Sequence, residues 1–124
     1  MQWQFRNDQP IYAQLIDQIT RAILSGAFAP GEWLPAVREL AMQAGVNPNT
    51  MQRAMAQLES TGLIYAQRTA GRFVTQDTQV ITAARERLAT ERIAEFLRSM
   101  ADLGYDRTQV QQLLLHQPQQ EEYA

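Results

Sequence analysis

Cysteine and lysine are both absent from this sequence of 124 residues. Without cysteine, disulfide bridges, thiolate metal sites and cysteine nucleophiles are excluded, which suits a protein of the cytoplasm. Long apolar runs are missing as well, because Arg6, Asp8 and Asp17 interrupt the first twenty residues. We therefore expect no secretory leader, no membrane span and a cytoplasmic location. The length and a hydrophobic content of 45% predict one globular domain, alone or with an appendage.

The sequence also lacks a strong excess of one charge, since it has 11 basic and 13 acidic residues. A net charge of −2 argues weakly against nucleic-acid binding, which depends on basic side chains at phosphates. The distribution weakens that objection: six arginines and five acidic residues lie up to Gln76, and five arginines and eight acidic residues follow it. Every basic residue is arginine, which suits bidentate contacts with phosphate and guanine. A GC-rich genome explains the same usage equally well.

Residues suited to catalysis or metal binding are scarce. His116 is the one histidine, and no cysteine accompanies it, so we expect no metal site. Glu91 and Glu95 could be read as paired carboxylates for acid–base catalysis. They lie near Arg92 and Arg98 on a predicted helix, and opposite charges at helical spacing form solvated ion pairs. Since no phosphate-binding loop or nucleophile motif is present either, we expect no enzyme and no cofactor.

The first predicted helix covers about residues 10–25. Asp8 is its expected N-cap, Pro10 its first-turn proline and Gly26 its C-cap. Its apolar residues recur at helical spacing: Leu15, Ile16, Ile19, Ala22 and Ile23. Residues 29–32, with the sequence APGE, then predict a type II turn.

Two short helices follow, separated by two or three residues. The first begins after Pro35 and ends at Gly45; the second has Asn47 as N-cap and Pro48 at its first position. Their predicted buried residues are Val37, Leu40, Ala41 and Ala44, and then Met51, Ala54, Met55 and Leu58. Two such helices joined by a tight glycine-containing turn are typical of a helix-turn-helix.

A β-hairpin is predicted next. Gly62 ends the third helix, and residues 63–65 and 73–74 form two short strands on either side of residues 68–71. A helix-turn-helix followed by such a hairpin is a winged helix. We assign residues 1–76 to this DNA-binding domain.

The remaining residues, 77–124, predict a helical tail. One helix runs from Asp77 to about Leu103, and after Gly104 a second, capped by Asp106, ends near Pro118; residues 119–124 are expected to fray. The short second helix cannot cover the apolar side of the long one, so we predict pairing of two copies. The residues assigned to dimerisation are Leu88, Ile93, Phe96, Met100, Leu113 and Leu114. The predicted fold class is mainly α with a small β-wing: a winged helix-turn-helix followed by a two-helix dimerisation tail.

Seven sequence blocks between residues 10 and 75 resemble the GntR family of bacterial regulators in spacing and order. They are PIYAQL at 10–15, APG at 29–31, LPAVRELA at 34–41, GVNPNT at 45–50, LE at 58–59, GLI at 62–64 and GRFV at 71–74. The tail, with LGY at 103–105, resembles the YtrA subfamily. The resemblance implies a DNA-binding regulator, often of transporter operons, and places Arg38 at a DNA contact. Two positions depart from the family pattern: Ala36 stands where serine is common, and Thr69 where the wing often has glycine.

The exposed face of the third helix is the expected reading surface, because Asn49, Gln52, Arg53 and Ala56 recur on one side of it. Asparagine and glutamine can form bidentate hydrogen bonds with adenine, and arginine can do so with guanine. A small alanine allows the helix to approach the bases closely. An ordinary solvated helix face is the alternative. The predicted DNA-binding residues are Arg38, Asn47, Asn49, Thr50, Gln52, Arg53, Arg68 and Arg72.

Three hypotheses for the function follow. The first is a homodimeric repressor that binds a palindromic operator in double-stranded DNA. The second is a sensor whose small-molecule effector, of unknown identity, binds at the dimer interface. The third is an interaction adaptor that uses the long tail helix as its partner surface.

Overall fold

The computed structural model of the protein describes residues 1–117. Over this range the elements are α1 (Ile11–Ser25), β1 (Trp33–Leu34), α2 (Val37–Ala44), α3 (Pro48–Ser60), β2 (Ile64–Gln67), β3 (Gly71–Val74), α4 (Thr78–Asp102) and α5 (Arg107–His116). The predicted class, mainly helical with a small β-wing, is confirmed. The last helix, α5, ends at His116 with Gln117 as its C-cap, close to Pro118 as predicted. The expectation of fraying over 119–124 lies outside the described residues.

Most helix ends follow the predicted capping residues, but the beginning of α1 does not: Pro10, predicted in the first turn, is its N-cap. Asn47 caps α3 by accepting a hydrogen bond from the Asn49 amide at 2.8 Å, and Asp106 forms a capping box with Gln109 at α5. The expectation that Asp8 caps α1 is wrong. The carboxylate of Asp8 accepts a hydrogen bond from Arg6 at 2.7 Å, and α1 begins after Pro10 without a side-chain cap.

A third strand, β1, was not predicted from the sequence. It pairs antiparallel with β3, which also pairs with β2, so the sheet order is β1-β3-β2. Two residues are too few to show the alternation of apolar and polar side chains that identifies a strand. The turn before β1 is as predicted: the Glu32 amide donates to the Ala29 carbonyl at 3.0 Å, and Gly31 has a φ of +79°, as a type II turn requires.

The chain divides into two compact units, of which the first is residues 1–85. Its core lies where α1 packs on α3 and the sheet closes one side. The largest fully buried side chains of this core come from α1, α3 and the three strands: Leu15, Ile19, Ile23, Leu34, Met51, Met55, Leu58, Ile64 and Val74. The apolar faces predicted for the first and third helices are therefore the faces that hold this domain together.

The first two turns of α4 belong to this same unit. Ile81 and Ala84 are each only 6% exposed and are part of its core. Arg85 donates a hydrogen bond to the Leu24 carbonyl at 2.7 Å. The units therefore divide within α4, between Arg85 and Glu86, and the winged-helix unit extends nine residues past the boundary placed at Gln76.

The position of this division has a consequence for truncated proteins. We expect a fragment of residues 1–76 to have a free energy of unfolding about 2–5 kcal/mol lower than that of residues 1–85, because it lacks the side chains that fill the core next to α1. Urea denaturation of both fragments measures the difference. Ile81→Ala in the longer fragment is the control, and it should lose part of the same energy. Equal stabilities of the two fragments would contradict this packing.

Candidate nucleic-acid interface

Helix α3 presents two different faces. Met51, Ala54, Met55 and Leu58 are fully buried. On the opposite side Asn49, Gln52, Arg53 and Ala56 are exposed, as the helical spacing predicted. A helix anchored by one apolar face holds the other rigidly, so the polar row keeps a fixed geometry toward a ligand.

The beginning of α3 is fixed by its cap. The Asn47 side-chain oxygen is occupied by the Asn49 amide, while Asn47 and Asn49 are both exposed at the surface. Thr50, also predicted to contact DNA, is half-buried. The N-terminal turn thus combines a partial positive dipole end with short polar side chains, an arrangement that favours an anionic partner.

Arg53 has a contact that the sequence did not indicate. Its guanidinium carbon lies 4.7 Å from the centroid of the Tyr12 ring on α1. The two side chains, together with Ala56 and Gln57, line one shallow depression of the surface. No local pattern could have joined them, because they belong to helices that only the tertiary fold brings together.

Arg38 lies on the exposed side of α2, near the beginning of that helix. Ala36 is the N-cap of this helix and forms no side-chain cap. The serine that is common at this position in the family would offer a hydroxyl group for capping, which alanine lacks. The first turn still closes, since the Leu40 amide donates to the Ala36 carbonyl at 2.9 Å.

The wing turn is braced by a residue that sequence reasoning missed. The Trp33 indole N–H donates to the Ala70 carbonyl at 3.0 Å, across 37 residues of sequence. A Cβ atom on Gly71 would lie 3.0 Å from the same indole nitrogen, and Gly71 has a φ of +101°, so glycine is required there on both grounds. The turn thus has Trp33 as a brace although Thr69 stands where glycine is common in the family.

The two wing arginines differ in environment. Arg68 is exposed next to the turn, and no carboxylate within residues 1–117 pairs with it. The Arg72 Nε instead donates to the Glu59 carboxylate on α3. With side chains only 23% and 32% exposed, Arg72 and Glu59 form a partly covered ion pair. The guanidinium of Arg68 is therefore exposed to solvent, whereas Arg72 joins the wing to α3.

The tail residues assigned to dimerisation also divide into two groups. Ile93 is 56% exposed, Phe96 43% and Leu114 59%. Leu88, Met100 and Leu113 are half-buried. Leu103 and Leu115 add further exposed apolar surface in this second unit. Large apolar side chains in water at this density are typical of a surface that becomes covered.

Within residues 1–117, no group of three or more His, Asp or Glu side chains is placed to hold a metal ion. No helix in the same range has the length and hydropathy of a membrane span.

Residues 11–74 match the family described as bacterial regulatory proteins, gntR family. This chain belongs to the GntR family. That match covers the winged helix-turn-helix, and the structure has the elements of that fold. The protein is thus a DNA-binding transcription regulator of the GntR type.

Two relatives extend the comparison. This GntR protein is 36% identical over 101 residues to the uncharacterized HTH-type transcriptional regulator YhcF of Bacillus subtilis, covering 82% of this chain and 84% of YhcF. It is 39% identical over 74 residues to the transcriptional repressor YtrA of the same organism, covering 60% of this chain and 57% of YtrA.

Two solved structures resemble this GntR protein. A GntR family transcriptional regulator from Listeria monocytogenes superposes with a TM-score of 0.84 at 33% identity, covering 92% of this chain and all of that one. The DNA-binding domain of AraR in complex with operator ORR3 has a TM-score of 0.51 at 33% identity, covering 60% of this chain and 88% of that one. The first similarity includes the tail, and the second concerns a domain bound to an operator.

Arg68→Ala in this GntR protein is expected to weaken binding to operator and random DNA by the same factor. An arginine at a phosphate releases counterions without reading bases, so the slope of log K against log salt should fall by about one. Fluorescence anisotropy titrations at several salt concentrations measure both quantities.

Arg72→Ala is the matched control, because its guanidinium already has Glu59 as partner. It should change the salt slope little and lower the melting temperature instead, since Glu59 loses its partner. A loss of slope equal to that of Arg68→Ala would mean that Arg72 leaves Glu59 to hold a phosphate and is one of the DNA-binding residues, as the sequence predicted.

Proposed function

We propose that this protein is a homodimeric repressor whose two winged helices bind the half-sites of a palindromic operator. In this arrangement the half-sites lie about one helical turn of DNA apart, and the two-fold symmetry of the dimer matches that of the site. The predicted DNA-binding residues of α2, α3 and the wing then contact the major groove, the backbone and the minor groove.

The observation that carries this proposal is the exposed row on α3. Asn49, Gln52 and Arg53 offer hydrogen-bonding groups that distinguish adenine and guanine edges, and Ala56 leaves room for the helix to approach them. Since the opposite face of α3 is fully buried, the row is held rigidly. The AraR domain, which is similar in fold and 33% identical, is bound to its operator ORR3, and this supports the same use of the surface here.

Dimerisation is supported by the exposed apolar side chains of the second unit, residues Ile93, Phe96 and Leu114. Pairing two such units removes this surface from water, which is the usual driving force of association. A single winged helix makes few base contacts. Two of them on one palindrome bind more tightly through effective concentration alone.

Repression is proposed because a bound dimer blocks the DNA it covers, and the similar protein YtrA is named a repressor. Transporter genes are the proposed targets, on the family resemblance of the sequence, and the cytoplasm is the proposed location. Binding of an effector at the dimer interface and an adaptor role for the tail stay predictions.

Selection from a randomised double-stranded DNA library tests the proposal. We expect the full chain to enrich a palindrome with half-sites about ten base pairs apart, and light scattering to give the mass of a dimer. Enrichment of a single half-site by a monomer would overturn the dimeric part. Absence of any enriched sequence would overturn sequence-specific binding.

A further inference from the structure

Tyr12 lies outside the helix-turn-helix, yet it contacts Arg53 on α3, the proposed recognition helix. It stands in the first turn of α1, where it is half-buried and packs against the hydrophobic core. Its ring is therefore held by the same packing of α1 on α3 that fixes the recognition helix. The Arg53 guanidinium carbon lies 4.7 Å from the ring centroid, within the range of about 6 Å over which a cation is attracted to an aromatic face.

The kind of contact matters for what Arg53 can still do. A cation–π contact is an attraction between a charge and a ring, and no hydrogen bond in the part of the chain that the structure describes occupies the N–H donors of Arg53. Within residues 1–117, no carboxylate forms an ion pair with Arg53. Arg72 is the opposite case, since its Nε is already used by Glu59. The ring thus restrains Arg53 and leaves its donors open.

Such restraint is relevant to base recognition because a bidentate contact with guanine needs the guanidinium in one orientation. A long side chain that is ordered only upon binding loses rotamer entropy at that moment, and one that is ordered beforehand loses less. The depression lined by Tyr12 and Arg53 also includes Ala56, so the contact lies beside the exposed row of α3 that is proposed to enter the groove.

We propose that Tyr12 is a positioning residue that determines specificity: its ring orients Arg53 for reading one base pair in each half-site. This inference rests on the proposed function. It gives α1 a role in discriminating between DNA sequences, in addition to its role in the hydrophobic core.

The test uses the full chain and the sequence enriched from the randomised library. Affinities are measured for every single-base variant of that sequence with wild type, Tyr12→Phe, Tyr12→Leu, Arg53→Ala and the double variant Tyr12→Leu with Arg53→Ala. We expect Tyr12→Leu to reduce discrimination about two- to tenfold at the base pair affected by Arg53→Ala, and little elsewhere. Tyr12→Phe, which keeps the ring, should retain wild-type discrimination.

Two further readouts separate positioning from a structural role. In the Arg53→Ala background Tyr12→Leu should have no additional effect on discrimination, because the residue it positions is gone. Thermal unfolding of Tyr12→Leu should stay cooperative, since leucine retains apolar packing at a half-buried site.

The inference is overturned if Tyr12→Leu weakens all sequences equally, or if Tyr12→Phe loses as much discrimination as Tyr12→Leu. The second result would assign the role to the hydroxyl group instead of the ring. In both cases the wild-type protein still enriches a sequence, so the proposed function stands. A wild-type protein that enriches none overturns both together.

Discussion

Ile93→Asp combined with Leu114→Asp in the full chain is expected to weaken binding to a full palindrome about 10²–10⁴-fold. Both side chains are more than half exposed in the single chain, so aspartate at these positions leaves the fold of the chain intact. In a dimer each aspartate would be buried without a partner, which opposes association strongly. The loss in affinity follows because the second winged helix no longer binds as part of the same molecule.

Arg98→Gln combined with Gln112→Asp is the matched control. It changes the net charge by the same amount, and it alters exposed positions of α4 and α5 on the sides away from the apolar residues. Light scattering and titrations of a full palindrome against a half-site give the result. A monomeric Ile93→Asp, Leu114→Asp protein that binds the full palindrome as tightly as wild type would contradict the dimer proposal and leave the tail with another role.

Arg53→Ala is expected to weaken binding to the enriched sequence by about 1–3 kcal/mol and to leave binding to random DNA nearly unchanged. The physical reason is that a base contact is lost while the phosphate contacts remain. Competition titrations with specific and random duplexes measure both affinities on one preparation.

Arg87→Ala serves as the control for loss of one positive charge, since Arg87 is exposed on α4, outside the helix-turn-helix and the wing. It should leave the ratio of specific to random binding unchanged. An Arg53→Ala protein with the wild-type ratio would mean that the exposed face of α3 is not read through this residue.

The local part of the fold was predictable because its signals are local. Gly45 ends α2 in a left-handed conformation, and Asn47 begins α3 as its N-cap. Each is a conformational preference of a single residue that can be read from the sequence. The period of Met51, Ala54, Met55 and Leu58 identified the buried face of α3, and with it the exposed row. These features depend on spacing within one element, which a sequence displays directly.

Three features were not predicted correctly from the sequence. They depend on competition between partners for one side chain, on a strand too short to show alternation, or on packing between distant residues. Asp8 has the chemistry of a cap, but Arg6 holds its carboxylate and α1 begins two residues later than a cap at Asp8 requires. Strand β1 has only two residues, and it is a strand because β3 offers a free edge for pairing. The limit of the first unit at Arg85 arises because Ile81 and Ala84 fill the core beside residues far away in the sequence.

The sequence alone therefore determined the family, the winged helix and the row of exposed side chains on α3. Only the tertiary structure decided which partners Arg53 and Arg72 have, because each partner comes from a distant element. Arg72 donates a hydrogen bond to Glu59, Arg53 forms a cation–π contact with Tyr12, and Trp33 donates a hydrogen bond to the wing turn. Side-chain pairings of this kind depend on distances in space, which spacing along the chain does not encode.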